Sequence, residues 1–256
     1  EIAQCLVGSE MCIRDSKWEP IGSVDVAFRG TFDGGGYEIH NLHSEVISAY
    51  TAVAGLFGQI AQAHISHVVL ADDCIVKSST YGGGIAAYVY NSTIVSCINR
   101  ASVELEAPYG YVGGIVGNVL NSVIDRCENW GPIAGQVQIT GNYSVYIAYT
   151  GGIGGCLYSS TILNCANRAD VTVEGSTHDY SSAGGILGYS DEESSVVNCY
   201  NTGRISAGEL AYVGGISGNW IIDAWVANCY NVSAVSTTGG ICLLYTSPSP
   251  RDTERS

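Results

Sequence analysis

The 256-residue chain predicts an all-β fold, a parallel β-helix with about one coil per 25–38 residue repeat, and three observations carry that prediction. One unit recurs: Gly-Gly-Ile, followed by a Cys-x-Asn that begins twelve or thirteen residues after the isoleucine. The Ile-to-Ile steps of 30, 38, 33, 30 and 25 residues fall in the period range of solenoids and propellers. Only 13% of residues are charged, while Gly, Val, Ile, Ser, Asn and Tyr abound, which favours strands and tight turns over helices or disorder.

Complete copies run Gly83-Gly84-Ile85 to Cys97-Ile98-Asn99, Gly113-Gly114-Ile115 to Cys127-Glu128-Asn129, and Gly151-Gly152-Ile153 to Cys165-Ala166-Asn167. Two more run Gly184-Gly185-Ile186 to Cys199-Tyr200-Asn201 and Gly214-Gly215-Ile216 to Cys229-Tyr230-Asn231, and a sixth opens at Gly239-Gly240-Ile241. Within a copy, three apolar stretches alternate with turn residues, as in Gly152 to Gly155, Thr161 to Cys165 and Ala169 to Val173, which predicts three strands per coil. A propeller blade, the competing architecture, wants a fourth strand in a closed circle and more regular repeats.

Upstream, Phe28 to Phe32 and Tyr37 to Ile39, broken by Asp33-Gly34-Gly35-Gly36, read as strand, turn and second strand. Gly55-Leu56-Phe57-Gly58 is a diverged copy of the repeat core. The two ends do not belong to the pattern. Residues 1–16 and 242–256 resemble translations of a transposon-type sequencing adaptor read from opposite strands, so they are set aside from fold reasoning. A single repeat domain over 17–241 is expected, as a fragment from a metagenomic assembly.

That segment holds seven basic and nineteen acidic side chains, a formal charge of about −12. So sparse a basic set cannot track a phosphate backbone, which excludes nucleic acid as a partner. No run approaches eighteen apolar residues, so no membrane insertion is expected of this segment. Cys97, Cys127, Cys165, Cys199 and Cys229 hold one place in successive repeats and are expected to stack as buried thiols acting as small hydrophobes. Disulfides between neighbouring coils remain the alternative, since the strand spacing falls within bridging range. Asn99, Asn129, Asn167, Asn201 and Asn231 are expected to form a second structural ladder, in left-handed geometry with amides stacked coil on coil.

The run Trp18-x-Pro-Ile-Gly, then Phe28-Arg-Gly-Thr-Phe-Asp-Gly-Gly-Gly-Tyr, then Gly55-Leu56-Phe57-Gly58 resembles the GLUG motif family and the segment that leads into its repeats. Later repeats depart from the motif by carrying Gly-Gly-Ile, and Ala87 replaces the last glycine of one copy. The resemblance implies a right-handed β-helix in an extracellular or cell-surface bacterial protein, beside adhesin, peptidase or anchoring domains. The family has no established catalytic residues, so none is transferred.

Repeat length varies between the third apolar stretch and the next Gly-Gly-Ile, at Glu104 to Gly110, Ile139 to Thr150, Glu174 to Ser182 and Ser206 to Ala211. Insertions at one phase of a coil project from one side, often the binding face. Candidate ligand residues there are Tyr109, Tyr111, Tyr143, Tyr146, Tyr149 and Tyr180, with Glu174 and Asp179. Tyrosine's rigid ring and polar tip suit a glycan or a host or surface protein, although several of these rings would serve equally to cover coil edges. The expected function is a non-catalytic surface or secreted module, adhesin-like or a stalk. A polysaccharide lyase or hydrolase is the runner-up, and a ligand-free spacer the third reading. Neither catalytic residues nor a cofactor is expected: no Gly-Lys-Ser/Thr phosphate loop, no Gly-x-Ser-x-Gly elbow and no spaced calcium loop occurs. His40-x-x-His43 and His64-x-x-His67 would point to opposite faces of a strand, which argues against metal binding.

Overall fold

A computed structural model describes residues 17–47, 51–137, 147–174, 181–191, 193–209, 211–220, 224–239 and 241–243. The set-aside ends lie almost wholly outside the described residues; only the backbone of Cys242 and Leu243 falls within them. The strands stack in parallel as a β-solenoid of about six turns, with no helix among the described residues. Accordingly, no helix there is long and apolar enough to cross a membrane.

Each full coil contributes five short strands rather than three. The coil built on Gly113-Gly114-Ile115 shows all of them: Tyr109–Gly113, Val116–Leu120, Val123–Asp125, Glu128–Asn129 and Ile133–Val137. These positions recur in every later coil and define five ladders, numbered here in that order. Register is strict: Tyr81, Tyr111 and Tyr149 pair in the first ladder, and Asn99, Asn129 and Asn167 in the fourth. The second and third ladders are joined at Phe57–Ser66, one continuous strand in the diverged first copy.

Residues in left-handed backbone geometry explain the extra breaks. Asn91, Asn121, Ser159 and Glu193 separate the second ladder from the third, and Gln62 takes the same geometry within the continuous strand Phe57–Ser66. His67, Ser96, Arg126, Asn164, Asn198 and Asn228 separate the third from the fourth. Their φ values lie between 45° and 59°, a region that Asn enters most readily among residues with a side chain. The ladder asparagines, expected to be left-handed, are instead ordinary strand residues, and the left-handed position falls three residues earlier, just before each Cys.

The interior is lined by one inward residue after another at the same register. Ile65, Ile94, Ile124, Ile162 and Val196 form one such column, and Ile85, Ile115, Ile153, Ile186 and Ile216 another, all buried. The second glycine of each Gly-Gly-Ile meets the Asn ladder across this interior. A Cβ on Gly84 would lie 2.6 Å from Asn99 Cγ, and one on Gly185 would lie 2.6 Å from Asn201 Cγ. Close approach, not backbone conformation, therefore demands glycine there, and it ties the two halves of the repeat signature into one contact.

The N-terminal segment closes that end of the core. Trp18 donates its indole N–H to the Leu56 carbonyl at 3.1 Å, and Phe28 and Phe32 pack on Phe57 at 5.1 and 5.3 Å. Phe28–Asp33 and Glu38–Ile39 form the two expected strands but do not pair with each other. Both join the following coil in parallel, as rungs of the solenoid.

Candidate functional site

Three internal side-chain ladders run along the rod. In the first, each Asn amide donates Nδ2–H to the amide oxygen of the next coil: Asn99 to Asn129 at 2.9 Å, Asn129 to Asn167 at 2.8 Å, Asn167 to Asn201 and Asn201 to Asn231 at 2.7 Å. The same amide also engages its own chain two residues on, as Asn99 does with the Ala101 carbonyl at 3.0 Å and N–H at 3.1 Å. Asn99, Asn129, Asn167 and Asn201 are fully buried.

The cysteines form the second ladder. The N–H of Cys127 donates to Cys165 Sγ at 3.3 Å, Cys165 to Cys199 and Cys199 to Cys229 at 3.4 Å, and each thiol donates to the carbonyl two residues earlier. The seven cysteines from Cys74 to Cys229 are all buried and free. Burial and the neighbouring thiols Cys127 and Cys199 push the Cys165 thiol well up, and burial raises Cys74 to about 11. At no more than 3% exposure, none of these thiols is within reach of solvent.

The third ladder, of serines, uses the same device at the other left-handed corner. Ser92 N–H donates to Ser122 Oγ at 2.9 Å and Ser122 N–H to Ser160 Oγ at 3.0 Å, while each hydroxyl donates to the carbonyl two residues earlier. Sequence reading missed it, although the signal was present: Ser92, Ser122, Ser160 and Ser194 recur directly after the left-handed residue.

Of the candidate ligand residues, the structure brings Tyr109, Tyr111 and Tyr149 together on the outer side of the first ladder. Tyr111 stacks on Tyr149 at 5.0 Å and 11°, Tyr149 on Tyr189 at 4.5 Å and 7°, and Tyr81 lies 5.4 Å from Tyr111. The Tyr109 and Tyr111 hydroxyls hydrogen-bond each other. The facing row on the second ladder is Tyr88, Asn118, Cys156 and Tyr189, in register. Together these residues fill the seam between the two ladders. Tyr111 is only 5% exposed and its faces are taken by neighbouring rings, whereas Tyr109 and Tyr90 are 39% and 40% exposed. Burial pushes the phenols of Tyr81, Tyr88, Tyr109, Tyr111, Tyr149 and Tyr189 up, Tyr81 and Tyr189 to about 12, and the buried Cys156 thiol likewise to about 12. The phenols of the seam are therefore neutral hydroxyl groups.

Glu174 is not part of that seam. It ends Val171–Glu174 in the fifth ladder, paired with Gln136, which in turn pairs with Glu106. Tyr143, Tyr146, Asp179 and Tyr180 lie outside the described residues. In the coils from Gly83 onward the length changes fall between the fifth and first ladders, with two exceptions. Glu104 to Ala107 and Tyr109 to Gly110 are strand residues, so only Pro108 links them. A further one-residue change lies at Asp191 to Glu193, between the second and third ladders.

Elsewhere several carboxylates are engaged by ion pairs: Lys77 with Glu104 at 2.8 Å, Lys17 with Glu45 at 2.8 Å, Arg126 with Asp125 at 2.7 Å. His67 meets Asp33 at 3.0 Å and His40 meets Asp73 at 3.1 Å, each pair joining the first coil to the next. The Gly35 N–H and His67 hold the Asp33 carboxyl below its ordinary range. Among the described residues no group of three or more His, Cys, Asp or Glu side chains is placed to hold a metal ion.

Fold and ladders define the class: a β-solenoid repeat protein. Residues 179–206 match the family described as the GLUG motif, so the chain carries that repeat. No curated protein sequence matches it. Among solved structures, a protein from Bacteroides ovatus described as a putative immunoglobulin A1 protease is similar over 91% of this chain and 74% of its own, with a TM-score of 0.64 and 22% identity. At that identity the likeness concerns the fold.

Proposed function

We propose that the chain is a non-catalytic, rod-like module of a cell-surface or secreted bacterial protein, adhesin-like or a stalk, touching glycan or protein through its tyrosine side. Continuity is the observation that supports this most. The fourth and fifth ladders pair every coil with the next, and the Asn, Cys and Ser ladders spend their polar groups on neighbouring coils. Such nearest-neighbour stacking yields a stiff, extended body. Contact through the tyrosine side rests on the exposed Tyr109 and Tyr90 and on the segments between the fifth and first ladders.

The name of the Bacteroides ovatus protein brings a peptidase into the test. The full chain is incubated with immunoglobulin A1, casein, mucin-type glycans and a polysaccharide panel, and retention and cleavage are both recorded. Retention without cleavage, weakened by Tyr109→Ala, supports the adhesin-like reading, and neither signal leaves the stalk. New reducing ends or peptide fragments would overturn both.

A further inference from the structure

The outward side of the fourth ladder carries a second aromatic surface, away from the tyrosine seam. Four successive coils supply it: Glu128 and Trp130, then Arg168, then Tyr200, then Tyr230 with Val232. Glu128 Oε2 accepts from the Trp130 indole N–H at 3.0 Å and from Arg168 Nε at 3.3 Å, so one carboxylate orients both neighbours. The Arg168 guanidinium lies 4.7 Å from the Trp130 ring centre and 5.1 Å from that of Tyr200, and it donates to the Tyr200 hydroxyl. Tyr200 stacks on Tyr230 at 5.3 Å and 7°. Cation–π contacts and the shared carboxylate hold the strip in order before any ligand arrives.

Order is combined with exposure. Trp130, Tyr230 and Val232 are 49%, 54% and 70% exposed. The core is already closed on the inner side of this ladder, so these side chains are not needed to cover it. A contiguous exposed aromatic patch next to fixed donors and acceptors marks a binding surface.

The charge balance selects the ligand class. With 24 acidic against 10 basic residues the chain repels acidic polymers, and Arg168 is matched by Glu128, so the strip adds no net attraction for an anion. A guanidinium beside a carboxylate offers donors and acceptors that suit adjacent sugar hydroxyls, and an indole suits the apolar C–H face of a pyranose. Ladder rungs are about 4.7–4.9 Å apart, close to the advance of one sugar along an extended chain. We propose that the Trp130–Arg168–Tyr200 strip binds an uncharged, extended pyranose polysaccharide running along the rod. This site is independent of the tyrosine seam.

The test is affinity electrophoresis of the full chain in gels containing laminarin, xylan, glucomannan or dextran, with polygalacturonate as the acidic counterpart. Retardation by at least one neutral polymer is expected. Trp130→Ala should weaken it about tenfold or more, as for an aromatic anchor, while Trp225→Ala, which removes a still more exposed indole on the third ladder, leaves it unchanged. Should Trp130→Ala fail to fold, the unaltered chain still decides: the neutral polymer must shield Trp130, but not Trp225, from N-bromosuccinimide oxidation read by peptide mapping. Retardation by polygalacturonate alone, by no polymer, or by a neutral polymer that leaves Trp130 unshielded would overturn the proposal.

Discussion

Replacing Asn129 by Ala probes the interior ladder at its most connected point. Asn129 accepts from Asn99 Nδ2 at 2.9 Å, donates to Asn167 Oδ1 at 2.8 Å and donates to the Gly131 carbonyl at 2.9 Å. Alanine deletes all three bonds in a fully buried place. Each bond contributes about 0.5–1.5 kcal/mol net, and a buried group left without its partner costs about 1–3 kcal/mol. Asn99 Nδ2 keeps the Ala101 carbonyl and Asn167 Oδ1 keeps a weaker contact at 3.4 Å, so the penalty is partly relieved. The expected loss is about 3–5 kcal/mol, which at about 2–4 °C per kcal/mol for a domain of this size lowers the melting temperature by at least about 6 °C. Thermal melting by circular dichroism gives the size, and hydrogen exchange over Asn99 to Arg168 gives the place. An internal control exists in the exposed asparagine row, where Asn198 Nδ2 meets Asn164 Oδ1 at 3.2 Å. Asn198→Gly keeps the left-handed backbone accessible and should cost under about 1 kcal/mol. Equal effects for the two variants, or a shift under about 3 °C for Asn129→Ala, would refute the claim that the buried ladder holds the coils in register.

Thr150 faces the core between Val112 and Ala183 with its hydroxyl oxygen unpartnered, so Thr150→Val should stabilise by about 1 kcal/mol in chemical denaturation. Tyr149→Ala removes two stacked contacts, and at about 0.5–1.5 kcal/mol each beyond lost burial it should destabilise strongly, whereas Tyr149→Phe should not. Iodoacetamide at pH 8, mapped by mass spectrometry, should leave Cys97, Cys127, Cys165, Cys199 and Cys229 unlabelled until the chain is unfolded. Stability should fall with alkali: Cys74 at about 11 and Cys156, Tyr81 and Tyr189 at about 12 hold protons in the folded chain that the unfolded chain releases earlier. Their contribution is complete below the unfolded values near pH 9–10 and is lost as pH climbs towards 12, so a melting temperature unchanged between pH 8 and 11 would contradict it.

The solenoid was legible because its signature records a contact. Gly84 and Asn99 touch across the interior, so glycine and asparagine recur as a pair, and any chain with that recurrence carries the pairing in its period. The strand count was not legible. Breaks at Ser96, Arg126 and Asn164 share a backbone conformation but no residue type, and pattern reading sees residue types. The serine ladder escaped for a related reason, since serine is common throughout and only its phase is informative. Tyr109, Tyr111 and Tyr149 were found by their place beside the segments of variable length, which does not separate a ring that offers its face from one whose face is already covered. The Trp130 strip was the least legible element. Its members, Trp130, Arg168, Tyr200 and Tyr230, fall in two adjacent rows, and only the two tyrosines share identity and place, too short a recurrence to read as a pattern.

The gap between the fifth and first ladders has a consequence for how such a chain can change. There the connection ranges from the single Pro108 to residues 138–146 without altering the pairing of Tyr111 with Tyr81 and Tyr149 on either side. Length is thus uncoupled from register at this edge and coupled to it at the corners that set the Asn and Cys columns from Asn99 onward, while the Ser corner admits the single extra residue at Asp191 to Glu193. A population of related chains is free to vary its lateral outgrowths here, coil by coil, as interchangeable attachments on a constant spine. Foreign peptides inserted after Val137 or Glu174 would inherit the same tolerance, which makes this edge a place to display sequence at regular intervals.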